Sequence, residues 1–242
     1  MTLADFLAMA RKLLEGTGFQ GKTYLVGGVV RDHLLGDGDF YDFDLAIQLR
    51  YGGLKLGAYM MHRLNPLTYE TFPKFGTARM ELDSIKLDFV ETRRERYQPG
   101  RRYPNIRFGT IAEDVYRRDF TVNALYMEVF SAEVLDPSGR GLADLQEGVI
   151  RTLRDADQVI SEDYLRILRA IRFSATLGFA LDPDIRRAIE KYAPKIGRLS
   201  QSAIFREVEK MKAAGVWAEA RALMQELGLE DAIPPDGVQI PL

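Results

Sequence analysis

The chain has 242 residues, 46% of them hydrophobic, and a formal net charge of −2, which allows one large domain or two modest ones around a sizeable core and excludes a globally basic nucleic-acid binder. It has no cysteine, so disulfides, thiolate zinc sites and cysteine nucleophiles are excluded, and its two histidines, His33 and His62, are read as helix-surface or loop residues rather than metal ligands. Asp5, Arg11 and Lys12 interrupt the apolar positions of the N-terminus and no apolar run reaches bilayer length, so a cytoplasmic protein is the expectation.

Residues 2–15 predict an amphipathic helix capped by Thr2, with Leu3, Phe6, Leu7, Ala10, Leu13 and Leu14 as its stripe and Gly16 ending it. A strand is predicted over Lys22–Val26, a helix over Val29–Leu35, a polar turn at Gly36–Asp39 and a second strand over Tyr41–Leu49. The apolar run Leu54–Met61 reads as a helix, and Thr77–Leu82 and Ser84–Glu91 alternate around Asp83 as a β-hairpin. Residues 93–110 read as a charged loop containing Pro and Gly, followed by a helix from about Val115, a short strand near Val134 and a turn at 136–141. Beyond Gly141 the texture is helical, with helices predicted over Ser161–Leu177, Pro183–Ala193, Ser200–Ala213 and Trp217–Leu227 and an irregular tail from Pro234.

The first chemical signal is Tyr24-Leu-Val-Gly-Gly-Val-Val-Arg-Asp32 followed by Asp42-Phe-Asp44. Gly27 and Gly28 let the backbone come close to a phosphate, and the following helix offers free N–H groups at its positive end. Asp42 and Asp44 are two apart, so on a strand they share a face. Alternating acids on an exposed strand are commonplace, but Asp88, alternating with Leu87 and Phe89, brings a third carboxylate if its strand neighbours the second one. Such a cluster repels itself unless cations neutralise it, and an all-oxygen donor set selects Mg²⁺, with Mn²⁺ as the alternative, in a two-metal site for a nucleoside triphosphate.

In Arg117-Arg-Asp-Phe-Thr-Val-Asn-Ala-Leu125, a helix places Asp119 and Asn123 on one face, with Arg118 beside them. In Ser161-Glu-Asp-Tyr-Leu-Arg-Ile-Leu-Arg-Ala-Ile-Arg-Phe173, Asp163 and Arg166 are three apart on one helical face. That spacing usually marks a salt bridge. It also suits a template for a base: cytosine and adenine present an amino donor next to a ring-nitrogen acceptor, which an Asp acceptor beside an Arg donor matches.

Taken in order, Gly27-Gly-Val-Val-Arg-Asp32, Asp42-Phe-Asp44, Arg117–Ala124, and Glu162-Asp-x-x-Arg166 with Arg169-Ala-x-Arg-Phe173 resemble the class II tRNA nucleotidyltransferase/poly(A) polymerase family. The resemblance covers residues 22–215. It implies an α/β (α+β) fold, with a polymerase-β-like head on a small mixed sheet over 1–140 and an all-helical neck over 141–242. It implies transfer of CMP and/or AMP from CTP and ATP to an RNA 3′ end, above all the CCA end of tRNA. The alternatives are poly(A) synthesis, addition of CC or A only, or a non-catalytic nucleotide- or RNA-binding module.

As for residues, the resemblance gives Asp42 and Asp44 the metal and Asp88 a position that the family fills with an acid. Gly27, Gly28 and Arg31 belong to the nucleotide-binding turn. Asp119 recognises the ribose, Arg118 and Asn123 lie near sugar and phosphates, and Asp163 and Arg166, with Arg169 in the same motif, read the base. A flexible loop that helps switch between CTP and ATP falls at Glu95–Pro104. Two departures stand out. Ser202 and Ala203 replace a Glu-Arg pair in the neck, which removes an expected support of the template helix, and the sequence stops where the family continues into body and tail domains, which is read either as a piece of a longer protein or as a minimal protein, with a second chain supplying those domains as a candidate partner.

Eight arginines between Arg93 and Arg118 face three acids. This local excess of positive charge is read either as a solvated loop or as a strip that flanks the active site and touches primer phosphates, extended by Lys191, Lys195, Arg198 and Lys210.

Overall fold

The structure is a computed structural model that describes residues 1–36, 38–83, 85–96 and 105–229. The chain forms two compact units, one of Met1–Arg118 with Val122–Leu142, the other of Asp119–Thr121 with Ala143–Leu242. Among the described residues no helix is long and apolar enough to cross a membrane.

The first unit opens with α1 (Leu3–Leu14), where Thr2 accepts a hydrogen bond from the Asp5 N–H and so satisfies a helix-end donor. β1 (Thr23–Val26), α2 (Gly28–Leu35), β2 (Asp42–Ile47) and α3 (Gly52–Leu64) follow, and then β3 (Thr68–Phe72), β4 (Thr77–Leu82) and β5 (Ile85–Glu91). β6 (Arg93–Arg96) pairs with β7 (Asn105–Phe108), so the two ends of the predicted charged loop form an antiparallel ladder, and residues 97–104 lie outside the described residues. α4 (Ile111–Asp114), β8 (Tyr126–Glu128) and β9 (Val134–Leu135) complete the unit.

The mixed sheet runs β3-β4-β5-β2-β1-β8-β9, with β2 and β5 parallel and the other neighbours antiparallel. Alternation sets its buried face: Phe43, Leu45 and Ile47 on β2 and Ile85, Leu87 and Phe89 on β5 are all buried. α1 covers part of it, with Phe6 stacked on Phe43 at 4.1 Å between ring centres. α3 sits against β4 and β5 at a separation only glycine permits, since a Cβ on Gly53 would stand 2.2 Å from the Gly76 carbonyl oxygen and 2.6 Å from that of Phe89. Gly53→Ala is therefore expected to cost about 2–3 kcal/mol, read as a lower urea midpoint at unchanged slope.

The second unit contains α5 (Gly141–Glu147), β10 (Val149–Ile150), α6 (Ala156–Glu162), α7 (Leu165–Leu177), β11 (Ala180–Leu181), α8 (Pro183–Tyr192), α9 (Gln201–Ala213) and α10 (Trp217–Glu226). It is helical except for the short parallel β10–β11 ladder. The predicted helix over 161–177 is two helices, because Asp163 is extended (φ −153°, ψ 104°) and closes α6 before α7 starts. α7 and α9 are joined by Arg172, whose Nε donates to Glu207 at 2.7 Å. Buried Glu207 thus ties the two helices together. The tail from residue 230 lies outside the described residues.

Candidate active site

Gly27 ends β1 at φ +80° and ψ −138°, and α2 begins at once behind it with no side-chain cap on its first N–H groups. A Cβ on Gly27 would sit 3.2 Å from Asp44 Oδ2, so glycine serves both the left-handed turn and the approach of the carboxylate to the backbone. The β1–β2 register places Val26 opposite Asp44, and the parallel β2–β5 register places Asp44 opposite Asp88. The convergence expected of the three acids is thereby met on the sheet.

The electrostatics follow from that register. Burial, then the charges of Asp42 and Asp88, raise the Asp44 pKa to about 6, against the opposing pull of Arg118 and Arg79. Asp88 is gripped by Arg79, whose Nε and Nη2 each donate to it at 2.7 Å. Sequence reading missed Arg79, although the hairpin around Asp83 fixes it: Leu82 pairs with Ile85, so Arg79 pairs with Asp88. Among the described residues no group of three acids or histidines is placed to hold a metal ion. The donor chemistry nevertheless fits Mg²⁺, which is commonly held by one or two carboxylates together with substrate phosphates. Both histidines lie exposed on helices, His33 on α2 and His62 on α3.

Arg31 is buried. Its Nε and Nη2 donate to Asp32 at 2.6 and 2.9 Å, and its Nη1 donates to Asn123 Oδ1 at 2.5 Å. Its visible work is to orient Asn123. Arg118 is presented by a network that sequence reading also missed: its Nε donates to the Tyr126 hydroxyl at 2.8 Å and its Nη2 to Asp114 at 3.0 Å, while the Tyr126 hydroxyl donates to Asp114 at 2.7 Å. Asp114 also accepts from Arg117 Nε and from the Arg93 N–H, both at 2.8 Å. Burial alone would raise the Asp114 pKa, but Arg117, Arg118 and these hydrogen bonds carry it down to about 2.

A carboxyl held below its unfolded value contributes stability above that value and loses it as pH falls through the folded one. The contribution of Asp114, about 2 kcal/mol for a shift of about two units, is therefore full above about pH 4 and fades toward pH 2. Asp114→Asn is expected to lower the urea midpoint clearly at pH 7 and progressively less as the pH drops from 4 to 2.

The segment 117–125 is not the predicted helix. After α4 it forms two single 3-10 turns, Val115–Arg117 and Thr121–Asn123. The cause is tertiary: Phe120 is buried in the second unit edge-on to Phe173 at 5.8 Å, and the Thr121 N–H donates to the Arg151 carbonyl. Asp119 and Asn123 consequently share no helical face. Asp119 accepts from Arg169 Nε at 2.7 Å and from the Phe120 N–H at 2.8 Å. Burial raises its pKa, but Arg169 and the hydrogen bonds outweigh that and hold it below the usual carboxylate range.

Nor do Asp163 and Arg166 share one helical face. Exposed Asp163 accepts from the Leu165 N–H at 3.0 Å, at the start of α7. Buried Arg166 donates to the Val159 carbonyl at 2.9 Å and to Glu162 at 3.2 Å. Glu162 in turn accepts from Arg154, so the ion pair across the α6–α7 junction is built on Glu162 rather than Asp163.

A fold of this kind with acids on adjacent parallel strands beside a glycine turn is that of a nucleotidyltransferase head. The family described as the poly A polymerase head domain matches residues 23–151, and that described as the probable RNA and SrmB-binding site of polymerase A matches 178–238. The chain belongs to the poly A polymerase head-domain family. It is 36% identical to the mitochondrial CCA tRNA nucleotidyltransferase of Saccharomyces cerevisiae over 86% of this chain, and 36% identical to the A-adding tRNA nucleotidyltransferase of Aquifex aeolicus over 80% of it. The chain spans 41% of the first relative and 23% of the second. Among solved structures, the Bacillus stearothermophilus CCA-adding enzyme in complex with CTP superposes with a TM-score of 0.75 at 30% identity, covering 98% of this chain and 55% of that one. A tRNA nucleotidyltransferase complexed with a primer tRNA and an incoming ATP analog gives 0.75 at 28%, covering 97% of this chain and 64% of that one.

Proposed function

We propose that the chain is the catalytic part of a metal-dependent RNA nucleotidyltransferase that transfers CMP and AMP to the 3′ end of tRNA lacking its CCA terminus. The observation that carries this is the juxtaposition of Asp42, Asp44 and Asp88 by the parallel β2–β5 register beside the Gly27 turn. In the reaction the 3′-hydroxyl oxygen gives up its proton to solvent and bonds to the α-phosphorus of the triphosphate, the α–β bridging bond breaks and pyrophosphate leaves. Asp42 and Asp44 would hold the divalent cation, which supplies charge neutralisation of the triphosphate and a more acidic 3′-hydroxyl when bound.

The uncapped N–H groups at the start of α2, behind Gly27 and Gly28, take phosphate oxygens. Arg118, fixed by Asp114 and Tyr126, supplies positive charge close to Asp44, and Asn123, fixed by Arg31, offers its amide near the sugar. Asp119, kept ionised by Arg169, accepts from a ribose hydroxyl. Base selection is assigned to Asp163 and Arg166 on the likeness of Glu162-Asp-x-x-Arg166 to the family motif, although the two share no helical face and Arg166 is paired with Glu162. Asp88, with Arg79 as its counter-cation, completes the acidic face.

A partial activity, addition of A alone, is the second reading, favoured by the likeness to the A-adding enzyme. The test supplies each nucleoside triphosphate singly with Mg²⁺ to tRNAs ending before CCA, after C and after CC. CCA addition gives C on the first two and A on the third, A-only addition gives A on the third alone, and incorporation of U or G rejects both. Further sequence, or a second chain, would supply the remaining grip on RNA. If so, the isolated chain extends a minihelix about as well as whole tRNA.

A further inference from the structure

Beyond the C-terminal ends of β2 and β5, a concavity of about 540 Å³ opens between the segment after β2, the turn before β4 and the β6–β7 ladder. Its walls combine cations with aromatic rings: Arg50, Lys74 and Arg107 beside Tyr51, Phe75 and Phe108. The rings face solvent to an unusual degree, being 52%, 40% and 42% exposed respectively. Arg50 and Arg107 are exposed, and among the described residues neither is in a salt bridge. By contrast, four of the arginines counted along the basic strip are held in ion pairs, Arg93 with Glu95 and Arg94 with Glu113 in the wall of the concavity itself, and Arg117 and Arg118 with Asp114. Arg101 and Arg102 lie outside the described residues.

The walls are pinned. Tyr51 holds a left-handed backbone (φ 59°, ψ 24°), a costly conformation for a bulky residue, and its N–H donates to Glu91 Oε2 at 3.0 Å. The Phe75 carbonyl accepts from Arg93 Nη1 at 3.1 Å. Arg50 stands over the Tyr51 ring at 5.3 Å, and Lys74 lies 5.8 Å from the Phe75 ring centre. A preformed surface that alternates cations and exposed rings suits a flexible polyanion with flat bases, because stacking takes the bases and the cations take the phosphates. β2 separates the groove from Asp42 by about 17 Å at 3.3 Å per residue, the spacing of a few nucleotides rather than of the triphosphate itself.

We propose that this groove binds single-stranded RNA, holding nucleotides upstream of the reacting 3′ end. The inference rests on the transfer reading for its choice of RNA, and its test measures binding without triphosphate, so that failure of the groove and failure of the transfer reading are told apart. Anisotropy titrations use a labelled 12-nucleotide single strand and a blunt 12-base-pair duplex across a salt series. Arg50→Ala/Arg107→Ala is expected to weaken single-strand binding about tenfold and to flatten the log–log salt slope by about 1.4, at about 0.7 per phosphate. Phe108→Ala is expected to weaken the single strand about fivefold or more with the duplex unchanged, and Phe108→Tyr to restore it. Arg140→Ala, an exposed charge elsewhere, serves as the control.

Single-strand affinity within twofold of wild type in both alanine variants, with unchanged thermal melts, overturns the proposal. So does equal weakening of single strand and duplex by Phe108→Ala. Should the double variant melt early, Arg50→Gln and Arg107→Gln singly decide by the same criterion. Groove-dependent binding by a chain that transfers no nucleotide upholds the groove and counts against the transfer reading alone.

Discussion

Asp42→Ala and Asp44→Ala are each expected to abolish nucleotide transfer, by at least about 10³-fold, without loss of stability. The two residues alternate onto one face of β2, Asp44 lying against the Gly27 turn, and divalent-cation chemistry supplies several kcal/mol of transition-state stabilisation that would go with its ligands. The stability half of the expectation is the more diagnostic. The Asp44 pKa of about 6 means that the folded chain holds this carboxylate charged at a cost, through burial and the nearby charges of Asp42 and Asp88. Removing either acid relieves repulsion, so the melting temperature at neutral pH should hold or rise. Full transfer activity in either variant would remove that residue from the mechanism. Asp88→Ala differs in kind, since it also strips Arg79 of its bidentate partner; impaired transfer is expected there with little gain in stability.

The second large effect concerns base choice. Arg166→Ala is expected to cost roughly 2–5 kcal/mol in incorporation of C and A and to lower discrimination against U and G. Arg166 also braces α6 against α7 through Val159 and Glu162, so a structural loss has to be separated from a loss of reading. Glu162→Gln keeps the size of the partner while removing its charge; it should lower stability and leave the order of nucleotide preference intact. Asp163, which is exposed and accepts from the Leu165 N–H ahead of α7, should shift selectivity when changed to Asn with little cost in stability. Wild-type selectivity in Arg166→Ala would mean that the residue only joins two helices.

Much of the first unit was legible because its signals are local. Thr2 and the stripe through Phe6 and Ala10 mark α1, and the alternation of Ile85, Leu87 and Phe89 marks β5. The hairpin turn at Asp83 sets a register from which the Arg79–Asp88 pair follows by counting. Where reading failed, a tertiary contact or a single backbone angle overrode the pattern. The apolar period of 161–177 is unbroken in sequence, and only the extended backbone of Asp163 divides it. The run 117–123 has acceptable helical spacing, but Phe120 goes into the second unit's core while Arg118 is tied to Asp114 and Tyr126. The β6–β7 pairing was missed because β6 is four charged residues with no alternation of hydrophobicity and β7, Asn105–Phe108, is too short for its alternation to stand out. The aromatic groove was out of reach for another reason: its walls come from three segments, around residues 50, 75 and 107, that only the fold assembles.

The central claim, that Asp42 and Asp44 form the cation site on which transfer depends, is tested most directly by titrating Mn²⁺ into the chain in the presence of a non-reactive CTP analogue and counting bound ions by electron paramagnetic resonance. The account expects wild-type chain to bind at least one Mn²⁺ in a manner that strengthens with the nucleotide, and Asp42→Asn/Asp44→Asn to lose it while keeping its fold. Equal Mn²⁺ binding by the wild type and the double variant would contradict it.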